Sequence, residues 1–308
     1  MTDARSAAGS AQSAAGGARS AAGGARSAAG SARSALAGRL RAAGCVFAEE
    51  EAAILLDAAR DCGDLSEMTA RRCAGEPLEH VVGTVRFGAV DLRVGPGVFI
   101  PRQRSLLLAE AARDAVRNRA SSRPAHGRAG ASDAQLCDRP VVVEAYCGVA
   151  PIAASVADRV AGTRIHVVDV DATALEYARR NLPTSARIHR GDGLSALPDE
   201  LRGRVDVIAA VPPYVPDRAV EFLPHETEHE PRAALFAGPE GLDHIRRLAL
   251  EAGDWLAYGG VLLMEMNAAQ AEQLLAETSD VWGGAHSVVG ADEQTAVVRL
   301  VRRHRAAG

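Results

Sequence analysis

Four short stretches hold the residue types that could do chemistry. Val211-Pro212-Pro213-Tyr214 follows the strand-like run 205–210. Two prolines fix the backbone just past a strand end, where an open α/β sheet presents its ligands. Tyr214 can cover a bound group, whereas Val211 offers no side-chain donor or acceptor. The stretch "VVVEAYCGVAPIAASVA" reads as a strand carrying Glu144, a tight turn and a helix. A nucleotide-like cofactor wants glycines in such a turn, because its tail must approach the backbone and the helix N-terminus. Only Gly148 is glycine there; Tyr146, Val149 and Ala150 stand where small residues would suit. Cys147 reads as a packed thiol, since no histidine is set beside it. Asp169-Val170 closes the next strand, "IHVVDV". An acidic residue there is placed to accept both ribose hydroxyls of an adenosine, a structural carboxylate being the other reading. Asp192-Gly193 follows the third strand, and Asp192 can bond an adenine edge or sit in a plain turn. Glu265, in a late strand, can bind an ammonium group or be structural.

The elements that must position these residues follow from pattern. Residues 37–75 carry apolar side chains at helical intervals, with breaks expected at Gly44 and Gly63. Residues 81–100 alternate and predict a hairpin turning near Gly88. A helix started by Pro101 follows. Residues 121–139 read as a polar loop. From Val141 onward strands alternate with helices: strands at 141–145, 165–170, 187–189, 205–210 and 260–266, helices from 151, 172, 242 and 269. A closing antiparallel pair is expected at 287–289 and 295–300. This pattern predicts an α/β, Rossmann-like, doubly wound sheet. The expected domains are a low-complexity disordered tail over 1–36, a helical N-domain over 37–80, a β-hairpin linker over 81–100 and a cofactor-binding domain over 101–308.

The tail repeats serine every seven residues, at Ser6, Ser13, Ser20, Ser27 and Ser34, with Arg19, Arg26 and Arg33 on the same spacing. Alanine favours helix and the glycines oppose it, so disorder is expected, with a docking arm for a protein partner as the sharper reading. The chain has 308 residues, 47% hydrophobic and 24% charged, with net charge −4. That balance implies no broad nucleic-acid surface. No run of eighteen apolar residues predicts a membrane span, and no apolar leader predicts secretion. Five cysteines in no zinc-like spacing read as free thiols, so the expected location is cytoplasmic and no metal is expected.

Taken in order, these residues resemble a family, the class I methyltransferases that modify protein glutamine (the HemK/PrmC lineage). The resemblance runs from about residue 40 to the end. "RRCAGEPLEHVVGTVRFGAVDLRVGPGVFIPRQRS" is similar to the junction of that family's helical domain with its hairpin and catalytic domain. "HEPRAALFAGPEGLDHIRR" and "GGVLLMEMNAAQ" resemble its later segments, and the first of these accounts for the metal-like look of His225, Glu226, Glu228, His229 and Glu230. The resemblance implies a class I methyltransferase fold and S-adenosyl-L-methionine, as cofactor or as substrate. It places Glu144, Tyr146, Cys147, Gly148, Asp169, Val170, Asp192 and Gly193 against that cofactor. The family's catalytic loop reads Asn-Pro-Pro-Tyr, so Val211 stands where its amide-holding asparagine would be.

Paired departures at the donor loop and the acceptor loop imply changed chemistry. S-adenosylmethionine has three electrophilic carbons beside one sulfonium. A reshaped donor loop would let its amino group close on its own γ-carbon, giving azetidine-2-carboxylate and methylthioadenosine. The related outcome is aminocarboxypropyl transfer to an external small-molecule nucleophile in specialised metabolism. The alternatives are a divergent N-methyltransferase acting on a protein glutamine or a small molecule, and an inactive scaffold. Tyr214 and Tyr146 are the candidate rings to face a sulfonium; Tyr146 packed behind the loop is the other reading.

Overall fold

The computed structural model describes residues 30–122, 139–222, 225–278 and 281–303. The chain divides into two compact units, one up to Val82 and one from Gly83 onward. Among the described residues no helix is long and apolar enough to cross a membrane.

The first unit is helical: α1 (30–42), α2 (Ala48–Ala58), α3 (Cys62–Cys73) and α4 (Leu78–Val82). Leu36, Leu40, Ala52, Leu55, Met68 and Val81 form its core. Glu51 and Arg72 make a buried two-pronged ion pair, at 2.6 and 3.1 Å. Two expectations are corrected here. Residues 30–36, expected as disordered tail, are the described start of α1. Their alanines favour helix, Leu36 and Ala37 are buried, and Arg33 donates to the Glu49 carbonyl. The rest of the tail, 1–29, lies outside the described residues. Gly63 does not break a helix; Asp61 caps α3 by accepting from the Asp64 N–H, so the break falls at residues 59–61.

The second unit opens with the hairpin of β1 (Thr84–Phe87) and β2 (Val90–Arg93), turning at Gly88 in the left-handed region. Expected as a linker, it is built into this unit's core. Val85, Phe87, Leu92 and Val94 pack in one cluster with Ile152 and Leu175. Helix α5 (Leu106–Ser122) starts five residues later than Pro101 suggested, after a single 3-10 turn at Gln103–Ser105. Glu230 is the reason. Its buried carboxylate accepts from the Ile100 N–H and from Arg102, and Arg102 keeps an extended backbone.

The sheet order is β5-β4-β3-β6-β7-β9-β8, with strands β3 (Val141–Ala145), β4 (Arg164–Asp169), β5 (Arg187–Arg190), β6 (Val205–Ala210), β7 (Leu256–Asn267), β8 (Gly284–Val289) and β9 (Thr295–Val301). The pairs from β5 to β7 are parallel; β9 runs antiparallel to β7 and β8. Parallel strands buried on both faces read as nearly continuous apolar runs, and β3 and β6 do so but for one buried carboxylate each, Glu144 and Asp206. Helices α6 (Pro151–Arg159) and α7 (Ala172–Asn181) share a core cluster with α5 on one face. Helices α8 (Asp243–Trp255) and α9 (Ala268–Thr278) cover the other. The order reverses at β3 and β6, and that switch point is where such sheets bind ligands.

An ion pair locks part of this core. Asp206 of β6 is fully buried, pairs with Arg119 of α5 at 2.9 Å and accepts from the Val141 N–H at 2.8 Å. Asp206→Ala strands both partners and should lower unfolding stability by about 3 kcal/mol, read by urea denaturation.

Candidate active site

The site is a row across the carboxyl edge of three neighbouring strands. Ala145 of β3 pairs with Ala210 of β6, and Ala210 pairs with Met264 of β7. Tyr146, Val211 and Glu265 are the next residues along each strand, so they stand side by side.

On the β3 side the turn has a specific backbone. Tyr146, Gly148 and Ala150 all take positive φ, at 52°, 52° and 63°. A left-handed residue with a Cβ costs roughly 1–2 kcal/mol, and two of these three carry one. Surrounding hydrogen bonds hold the path. The Cys147 N–H donates to the Val168 carbonyl and the Ala150 N–H to the Cys147 carbonyl. The Gly148 N–H donates to Asp169 at 2.8 Å. The Asn181 amide donates to the Val149 carbonyl at 2.8 Å and to Arg93 of the hairpin at 3.1 Å.

Glu144 closes this turn from below. Its buried carboxylate accepts from the Ile152 and Ala153 N–H groups, in the first turn of α6, at 3.2 and 2.7 Å. Burial pushes its pKa up to about 8, against the pull of those two donors. Burial also pushes the Cys147 thiol well up, as expected of a packed thiol rather than a nucleophile.

Asp169 is half-buried, and each of its oxygens takes a backbone N–H, from Gly148 and from Asp171. Burial raises its pKa as well. Val170 beside it is 51% exposed. The Asp192 carboxylate is engaged by Arg247 at 2.6 Å, and Arg247 also holds Glu251 at 2.7 Å. Gly193, at φ +60°, sits against that cluster, where a Cβ would crowd Glu251. The Tyr146 ring meets His244 edge-on at 5.4 Å, on the α8 side of the sheet. Burial pushes its hydroxyl up to about 12, with Arg247, Asp192, Glu251 and Asp169 all in electrostatic reach.

On the β6 side, Pro212 and Pro213 are buried, and Val211 and Tyr214 are half-buried. Gln270 of α9 clamps the loop: its amide donates to the carbonyls of Tyr214 and Glu240, at 2.9 and 3.0 Å. Gly241, in the left-handed region, lies so close that a Cβ would overlap the Tyr214 carbonyl. Arg104 donates to the Tyr214 hydroxyl at 3.0 Å. Arg104 also stands 3.7 Å from Glu265, which is 1% exposed. Burial raises the pKa of Glu265, with Ser105 and Arg104 opposing.

The structure thus gathers the expected residues around one edge: Glu144, Tyr146, Cys147, Gly148, Asp169, Val170, Asp192 and Gly193 by the β3 turn, Val211 to Tyr214 beside them. Glu230, in the "HEPR" segment, is bound to Ile100 and Arg102, and among the described residues no group of three metal-ligating side chains forms. Arg104, Gln270, Gly241 and Asn181 were not singled out from sequence. Each acts on a partner distant in sequence, so no local pattern marks it.

Fold and site define a class I methyltransferase. Residues 135–228 match the Methyltransferase small domain family. The release factor glutamine methyltransferase of Streptomyces coelicolor is 38% identical over 210 residues, covering 68% of this chain and 69% of that protein. The 4-amino-L-phenylalanine/4-methylamino-L-phenylalanine methyltransferase of Streptomyces pristinaespiralis is 34% identical over 250 residues, covering 76% and 81%. In fold, the hMettl16 catalytic domain in complex with the MAT2A 3'UTR hairpin 6 aligns at a TM-score of 0.53 and 12% identity, over 79% of this chain and 84% of that one. The chain belongs to the release factor glutamine methyltransferase (HemK/PrmC) family of class I methyltransferases, whose cofactor is S-adenosyl-L-methionine.

Two outcomes follow from this geometry. Gln270→Ala should speed hydrogen exchange in residues 214–218 and lower stability by about 1 kcal/mol, read by exchange mass spectrometry and denaturation. The second concerns pH. Glu144 holds its proton more readily folded than unfolded, its pKa rising from the usual 4.5 to about 8. Its stabilising share is full below 4.5 and is lost as pH rises to about 8. Asp169 and Glu265 add to the same slope. The lowered pKa of the buried His166 acts with the opposite sign, so the expected outcome is a difference: Glu144→Gln should make the melting temperature fall less with rising pH than in the wild type, read by thermal denaturation.

Proposed function

We propose that the chain is an S-adenosylmethionine-dependent methyltransferase whose acceptor is a small molecule rather than a protein glutamine. The observation that carries this reading is the state of the 211–214 loop. Its scaffold is clamped by Gln270 and Gly241, while its first side chain is a half-buried valine. A valine cannot hold an acceptor amide, and losing one preorganised polar contact costs about 3 kcal/mol of positioning. The 34% relative, by its name, methylates an amino-phenylalanine, and this supports a small acceptor.

The donor side fits the cofactor. A Cβ on Gly148 would meet no atom within 4 Å, so the turn leaves open space for a ligand tail. Val170 offers an exposed apolar face next to Asp169, suited to an adenine and a ribose. When bound, S-adenosylmethionine supplies an electrophilic methyl on a sulfonium. Glu144 and the α6 N-terminus set the turn that receives it, and Asp169 orients the Gly148 N–H.

A second reading keeps the same residues and changes the carbon attacked, giving azetidine-2-carboxylate and methylthioadenosine, or aminocarboxypropyl transfer. Tyr146, a large ring in the donor turn, favours it. The open space over Gly148, where a Cβ would meet nothing within 4 Å, favours methyl transfer, because it leaves room for the tail to lie extended.

Mass spectrometry of the full chain with S-adenosylmethionine and 4-amino-L-phenylalanine or L-glutamine decides between them. S-adenosylhomocysteine formed with the small amine supports methyl transfer. Methylthioadenosine formed without acceptor overturns it in favour of the second reading, and the absence of any cofactor-induced thermal shift points to a scaffold. Gly148→Ala should weaken cofactor binding tenfold or more by calorimetry, while unfolding stability drops by only about 1 kcal/mol, the left-handed penalty of one alanine.

A further inference from the structure

Glu265 is a buried carboxylate with a missing partner. Both of its oxygens are shielded from solvent, and neither has a donor in full hydrogen-bond geometry, the Ser105 hydroxyl being near enough only to favour the ionised form. The nearest cation, the Arg104 guanidinium, stands off at 3.7 Å and spends one N–H on the Tyr214 hydroxyl. A buried carboxylate ordinarily finds several donors, so one left with a neighbouring hydroxyl and a distant guanidinium marks a place for a ligand that brings more. The place is not remote. Glu265 is one residue past the β7 partner of Ala210, and Val211 is one residue past Ala210 itself. The orphan carboxylate therefore lies beside the position that has lost its polar side chain.

We propose that Glu265 receives the nitrogen of an amine acceptor, taking over at the third strand the hold that Val211 lacks at the second. This rests on the small-molecule reading above and narrows the acceptor to an amine. The chemistry is selective. A carboxylate only accepts, so it favours an ammonium or amine over a hydroxyl with one donor or an ether with none. An ammonium seated there can also give up a proton: the N–H bond breaks as an O–H bond forms on a Glu265 oxygen, leaving the nitrogen its electron pair. The groups that face this exchange are Arg104, Ser105, Tyr214 and Asp292. The raised pKa of Glu265 suits it to hold the proton.

Benzylamine and benzyl alcohol, nearly isosteric, separate the idea from its rivals. Calorimetry on the full chain with S-adenosylhomocysteine present should show benzylamine binding that weakens tenfold or more in Glu265→Gln. Benzyl alcohol should bind both proteins alike. Equal benzylamine binding in the two proteins, or none in the wild type, overturns the proposal. Glu265→Gln removes a buried ionisable group and should melt no lower than the wild type. Infrared spectroscopy of the wild type needs no variant: its carboxyl bands should change between the acid and ionised forms when benzylamine is added, and unchanged bands overturn the proposal. A failure of S-adenosylhomocysteine itself to bind would instead sink the methyltransferase reading, so the two failures are distinct.

Discussion

The grip of Glu144 on the first turn of α6 is the interaction on which the rest of the site depends. It fixes where β3 stops and where α6 starts, and so sets the three left-handed residues between them. It does so with a carboxylate that burial would rather keep neutral. Two backbone donors and a helix N-terminus make an anion tolerable there, and few other side chains could meet both donors at once. The neighbouring turn then inherits its path. Asp169 reaches back from β4 to the Gly148 N–H, and Asn181 reaches forward from α7 to the Val149 carbonyl.

The acceptor loop is held by a different logic. Its anchors come from distant parts of the chain and act on backbone atoms. Gln270 binds carbonyls, Gly241 makes room for one, and the loop beyond Tyr214 hydrogen-bonds to the segment at 235–238. None of these contacts depends on the side chain at 211. The loop therefore keeps its course with a valine at its head.

Much of this architecture was legible in the sequence. The parallel strands show as runs of valine, isoleucine and alanine, and β6 has the expected ends because both its faces are buried. The hairpin was legible from alternation and Gly88. What escaped was set by partners far away in sequence. Pro101 looks like a helix start, and only Glu230, well over a hundred residues on, keeps that segment extended. Gly63 looks like a break until Asp61 is seen capping the helix. Ala150 and Tyr146 give no local sign of a left-handed backbone, because intrinsic preference argues against it. The positions of Tyr146, Val211 and Tyr214 could be read by resemblance. The under-supplied oxygens of Glu265 could not, since a missing partner is a property of packing.

The strained turn has a consequence for how such a site changes over generations. Its conformation is specified by what surrounds it rather than by what occupies it. Glycine is then a convenience at 146 and 150, and its replacement is a modest debit against the stability of the whole domain. A turn of this kind can accept new side chains at its ligand-facing positions while its outline persists. Innovation in chemistry and inheritance of shape are thereby assigned to different atoms: the first to exchangeable side chains, the second to a backbone that its neighbours hold in place.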